Sequence, residues 1–154
     1  MKDQRSIVDE LLDECDRHAS QYTGKEMEFA KEALDLSKVL QYDIGIYESN
    51  FRIARSLMSN SNNEEAIKHL DLCYTIADKI CDTVRIARTA NSFGIAYYNL
   101  GVTSKSLDYL LEALEISKSK NYPDIECRVY NNICSILTEL GDHETALEYL
   151  YSLL

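Results

Sequence analysis

The 154-residue chain carries 26 acidic against 16 basic side chains and a formal charge of −10, with a pI near 4.7. That balance argues against nucleic acid and anionic membrane surfaces as partners, because both need a positive field on the protein. The length allows one domain with a sizeable core, and no apolar run approaches the roughly 18 residues that span a bilayer.

In chain order, residues 6–21 read as a helix with Ile7, Val8, Leu11, Leu12, Cys15 and Ala19 on its apolar side. Gly24 breaks it, and residues 25–40 form a partner helix. Tyr42-Asp43 links to a helix over 44–58, closed by the polar run SNSNN (59–63). That run offers Asn62 or Asn63 as N-cap of the next helix, where Glu64 and Glu65 suit the positive end of the helix dipole. This helix runs to about residue 81, and Asp82-Thr83 leads into the next pair, residues 86–118, which turns at Gly101 with Thr103 as a cap. Asn121-Tyr122-Pro123 is the clearest break. Pro123, the only proline, suits the first helical position, where its missing N–H would be unsatisfied in any case. Asp142 caps the last helix.

Sliding the chain against itself by 40 residues aligns four units without a gap. Met27, Ile67, Leu107 and Leu147 share a column, as do Ala30, Leu70, Leu110 and Leu150, and Leu34, Tyr74, Leu114 and Leu154. Small residues share two more: Ala33, Cys73 and Ala113, then Ala54, Gly94 and Cys134. Leu57, Tyr97 and Leu137 align, and so do the turn residues Ser61, Gly101 and Gly141. The units fall at about 6–42, 43–82, 83–122 and a shortened 123–154.

These columns resemble the tetratricopeptide repeat: a large residue, a small one, an aromatic or Leu, then a small residue opening the second helix. The third unit supplies Ala90, Phe93-Gly94, Tyr97, Ser106, Leu110 and Ala113. The fourth supplies Tyr130, Ile133-Cys134, Leu137, Ala146 and Leu150, and the second Asn50, Ile53-Ala54, Leu57, Ala66, Leu70 and Cys73. The repeat is longer than the usual ~34 residues, there is no Trp, and Asp78 and Lys118 replace the family's proline. The resemblance is to the long-repeat type of bacterial regulatory proteins. It implies an all-α, right-handed α-solenoid of antiparallel helix pairs. It also implies that the chain, which stops in mid-helix with Leu150, Leu153 and Leu154 as an open apolar end, is the N-terminal part of a longer protein.

The sequence holds no GxSxG, phosphate loop, HExxH or DxDxDG pattern, so no enzyme activity, cofactor or metal is expected within it. His18, His69 and His143 have no partner at metal-ligand spacing. The five cysteines, Cys15, Cys73, Cys81, Cys127 and Cys134, are scattered without CxxC spacing, as expected of small core residues in a reducing, cytoplasmic compartment. The start, MKDQRSIVDELLDE, has no apolar stretch of a signal peptide.

Basic residues are segregated. Every arginine (Arg5, Arg17, Arg52, Arg55, Arg85, Arg88 and Arg128) falls in or beside the first helix of a pair, and every lysine except Lys2 in or at the end of a second helix. By resemblance the first helices line a concave groove. Arginine is the better residue for bidentate recognition of carboxylate or phosphate. The motif Arg88-x-x-Asn91 recurs as Arg128-x-x-Asn131, placing each pair on one helix face. The resemblance points these columns into the groove together with Arg55, Ile95, Tyr98 and Ser135, where an Asn amide can donate to and accept from a peptide backbone. The alternative is that the arginines pair with carboxylates on neighbouring helices. Tyr97 and Tyr130 read as core spacers. The expected function is a non-catalytic peptide- or protein-binding module, a scaffold or sensory domain in bacterial signalling. Its groove would take a segment with an acidic group or free carboxylate. The alternative is a regulatory domain of a larger signalling enzyme, such as a diguanylate cyclase or histidine kinase, or of a transcription regulator. That domain would work by homodimerisation through the C-terminal end.

Overall fold

The computed structural model describes residues 3–21 and 24–151, and the side chain of Leu150 lies outside the description. The open apolar end expected at Leu150, Leu153 and Leu154 therefore lies outside the described residues, as does the dimer contact expected there. The described residues form α1 (Gln4–His18), α2 (Lys25–Val39), α3 (Asp43–Ser59), α4 (Asn63–Lys79), α5 (Thr83–Asn99), α6 (Thr103–Lys120), α7 (Pro123–Glu139) and α8 (His143–Tyr151), with no strand among them. They fall into two compact units, Met1–Cys81 and Asp82–Leu154.

In the first unit α1 packs on α2, α2 on α3 and α3 on α4, and α1 also touches α3. The second repeats the scheme: α5 on α6, α6 on α7, α7 on α8, and α5 against α7. Within each unit short connections turn successive helices back on one another: three residues between α2 and α3, α3 and α4, α5 and α6, and α7 and α8, and two between α6 and α7.

The turns share one construction. Gln41, Ser61, Cys81, Gly101, Asn121 and Gly141, spaced by twenty residues, all have left-handed backbone, with φ from 50° to 81°. At five of them the next residue's N–H reaches the carbonyl five positions back. These bonds are Tyr42 to Ser37 (2.9 Å), Asn62 to Leu57 (2.8 Å), Val102 to Tyr97 (2.9 Å), Tyr122 to Ser117 (2.8 Å) and Asp142 to Leu137 (2.9 Å). This is the Schellman ending, which satisfies carbonyls that a helix C-terminus leaves open. The 40-residue repeat is thus two equal halves. Pro123 opens α7 as expected, and the Asp142 carboxylate accepts from the Thr145 N–H at 3.2 Å. Thr103 is instead the first residue of α6, and Val102 sits at the cap without a side-chain bond. Asn62 also occupies its cap position without one.

The repeat columns are the core. Ala33, Cys73 and Ala113 are fully buried, as are Ala30, Leu70 and Leu110. A Cβ on Gly94 would lie 2.5 Å from Leu110 Cγ, and the Ser106 hydroxyl donates to the Gly94 carbonyl at 2.6 Å. The small column therefore marks where α5 and α6 touch backbone to side chain. Tyr130 is fully buried, while Tyr97 is half-buried and stacks on Tyr109 with centroids 5.6 Å apart.

Candidate functional site

In the second unit α5 and α7 lie side by side, and three bonds tie them. Asn132 Nδ2 donates to Asn91 Oδ1 at 2.8 Å, Thr83 and Tyr122 share a hydroxyl bond of 2.7 Å, and the Tyr98 hydroxyl bonds Glu139. The Glu139 bond holds the Tyr98 phenol above its ordinary pKa. Between the helices is a small apolar cavity of about 80 Å³, lined by Ile95, Tyr98, Leu110, Asn132, Ser135 and Ile136.

This brings together three of the residues expected from sequence, Ile95, Tyr98 and Ser135, and sets Asn91 beside them through Asn132. Each amide of the Asn91–Asn132 pair uses one polar atom on the other. Asn91 keeps its NH₂ and Asn132 its oxygen for a third group. Arg88 is half-buried one turn before Asn91 on α5. Arg128 and Asn131 are exposed on α7. The residue that sequence reasoning missed is Asn132. The 40-residue shift pairs Asn91 with Asn131, but the bonds Asn91–Asn132 and Tyr98–Glu139 join residues 41 apart.

Arg55 belongs to the first unit. There Asp16 of α1 accepts from Arg52 Nε (3.1 Å) and Nη2 (2.7 Å) and from Arg55 Nη2 (2.7 Å). Arg52 also pairs with Glu48 at 2.7 Å. Burial alone would raise the Asp16 carboxyl, but the two guanidinium groups overcome this and hold it below the usual aspartate value. For Arg55, pairing with a neighbouring carboxylate is what the geometry shows. Asp16 lay beyond sequence reasoning because its partners, 36 and 39 residues away, fall off the 40-residue shift.

Among the described residues no group of three or more His, Cys, Asp or Glu side chains is placed to hold a metal ion. No helix among them is long and apolar enough to cross a membrane. Arginines and lysines keep the predicted division: every described arginine lies on α1, α3, α5 or α7, and every described lysine on α2, α4 or α6.

A helix-pair repeat with small residues at the pair contact defines a class of α-helical repeat proteins. The family described as tetratricopeptide repeat matches residues 46–119, just under half of the chain. No curated protein matches the chain. Among solved structures it is similar to a Rap protein complexed with competence and sporulation factor, at 20% identity and TM-score 0.92 over 99% of this chain and 43% of that one. It is also similar to aspartyl phosphate phosphatase F from Bacillus subtilis, at 19% identity and TM-score 0.88 over 97% and 39%. The apo form of RapI matches at 17% identity and TM-score 0.84 over 99% and 43%. These likenesses show the all-α tetratricopeptide-type solenoid fold. The chain spans about two fifths of the length of each of these structures.

Proposed function

We propose that the chain is a non-catalytic binding module whose α5–α7 face takes an extended peptide or protein segment. The observation that carries this reading is the Asn91–Asn132 amide pair at the edge of the apolar cavity beside Ile95 and Tyr98. Such a pair can meet the donor and acceptor of a peptide unit while an apolar side chain enters the cavity. Arg88 and Arg128 on the same two helices, with Asn131 and Ser135 beside them, suit a partner bearing an acidic group or a free carboxylate. One of the similar structures holds a Rap protein with a bound factor. That supports a partner-binding role in bacterial signalling, in a reducing cytoplasm that suits thiols held outside disulfides.

A second reading makes the chain the regulatory part of a larger signalling protein, in which the bound segment or a second copy changes the output. The greater length of the similar structures favours it.

Affinity selection from a pool of short random peptides, with free and amidated C-termini, tests the site. Selected peptides should lose about 1–3 kcal/mol of binding on Arg88→Ala, Arg128→Ala or Asn132→Ala. Retention no greater than on an Asn91→Ala, Asn132→Ala double variant would refute the assignment.

A further inference from the structure

The first unit holds a cavity of about 470 Å³ that the α5–α7 reading does not use. Its volume is within the range of small-ligand pockets, roughly 300–1,000 Å³. Its walls include Gly24, Glu26, Arg55, Ser56 and Asn60.

The charges around it are unevenly satisfied. Arg52, also at the wall, is spent: Nε and Nη2 go to Asp16 and Nη1 to the Glu48 carboxylate and carbonyl. Arg55 gives one Nη2 bond to Asp16, and its side chain, 47% exposed, lines the cavity with further donors on its fork. Glu26 is the opposite case. Its Oε2 is buried with no hydrogen-bond partner, and its Oε1 meets only the Ser56 hydroxyl, at 3.5 Å. A buried carboxylate oxygen without a donor costs stability unless something binds it. Nearby, Gly24 sits at the N-cap of α2 with left-handed backbone and no side-chain cap bond, an arrangement that favours negative charge, such as that of Glu26, at the helix start. Of the charged side chains at the wall, Arg52 is neutralised by Asp16 and Glu48, which leaves Glu26 and Arg55 as one negative and one positive group facing a ligand.

We propose that this cavity binds a zwitterionic ligand of about dipeptide size, its ammonium on Glu26 and its carboxylate on Arg55. Recognition of both charges distinguishes it from a site for a simple amine or a simple acid. Ser56 and Asn60 line the space between as hydroxyl and amide partners.

Dialanine and dileucine are the probes, titrated against the whole chain while the backbone amide signals of Gly24, Ser56 and Asn60 are followed by NMR. Saturable shifts are expected. Affinity should fall at least about tenfold on N-acetylation of the probe or Glu26→Gln, and likewise on C-amidation or Arg55→Gln. Glu26→Gln should no longer distinguish acetylated from free probe, and it should melt no lower than the parent. Asn91→Ala, in the other unit, should leave dipeptide affinity unchanged. The proposal is overturned if neither dipeptide gives saturable shifts up to about 10 mM. It is equally overturned if the acetylated probe binds as tightly, or if Asn91→Ala abolishes binding.

Discussion

His69 shows how one side chain couples pH to stability. It is half-buried on α4, with Nδ1–H donating to Asn50 Oδ1 at 2.8 Å, while Asn50 Nδ2 donates to the Ile46 carbonyl at 2.8 Å. Burial pushes its pKa below the ordinary 6.5, opposed by Glu65 and reinforced by Lys38, Lys31 and Lys68. The unfolded chain therefore takes up this proton more readily than the folded one. The contribution of His69 is full above pH 6.5 and is lost as pH falls from there through the lower folded value. Melting temperatures should drop across that window, and His69→Gln should shrink the drop. An undiminished drop would remove His69 as its source. Asn50 stands in the column of Ala90 and Tyr130, so its place in the core was legible in the sequence. Its bond to a histidine nineteen residues away was not, because hydrogen-bond pairing leaves no periodic trace. The same holds for Asp16 and Asn132. Residue type and helix face could be read, but which side chain meets which depends on how the helices are set against each other.

At the scale of helices and turns, size rather than polarity was the readable signal. Gly94 aligned with Ala54 and Cys134 because a helix sits against each, and the Leu110 contact gives the reason in distance. Gly94→Ala should destabilise the chain by about 1–3 kcal/mol in urea titration, since Leu110 is fully buried and has little room to yield. A change within error would mean that α5 and α6 can part without cost. The turns at Ser61, Gly101 and Gly141 were legible as a column; the links after residues 40, 81 and 120 were also placed, but not that Gln41, Cys81 and Asn121 carry the left-handed backbone there. A left-handed residue is recognisable in sequence chiefly when it is glycine. At these positions other residues carry the strain. Gln41→Gly should therefore gain up to about 1 kcal/mol in the same titration, and Asn121→Gly less, because asparagine tolerates this conformation better.

For the molecule as a whole, the thiols give a simple check on the fold. Cys81 and Cys127 are exposed, and Cys15, Cys73 and Cys134 are buried, with no disulfide among them. Burial also pushes the Cys15 and Cys134 thiols above their ordinary pKa, Asp16 adding to the effect at Cys15. A thiol-reactive dye should label Cys81 and Cys127 promptly in the folded chain and the other three only as it unfolds. Prompt labelling of all five would contradict the packing. The fold class was readable because a solenoid writes its core into the chain at a fixed interval. The partner was not, because binding faces follow no such interval.

The turns that share this construction carry one more consequence. A turn inside a pair, such as that at Gly101, and a turn between pairs, such as that at Asn121, are closed by the same backbone bonds. The backbone thus holds no record of where one repeat ends and the next begins. Pairing is decided by the bulk of the side chains that each helix presents, so these joints are interchangeable parts. A chain of this kind can gain or lose helices in evolution two at a time without redesigning a single bend.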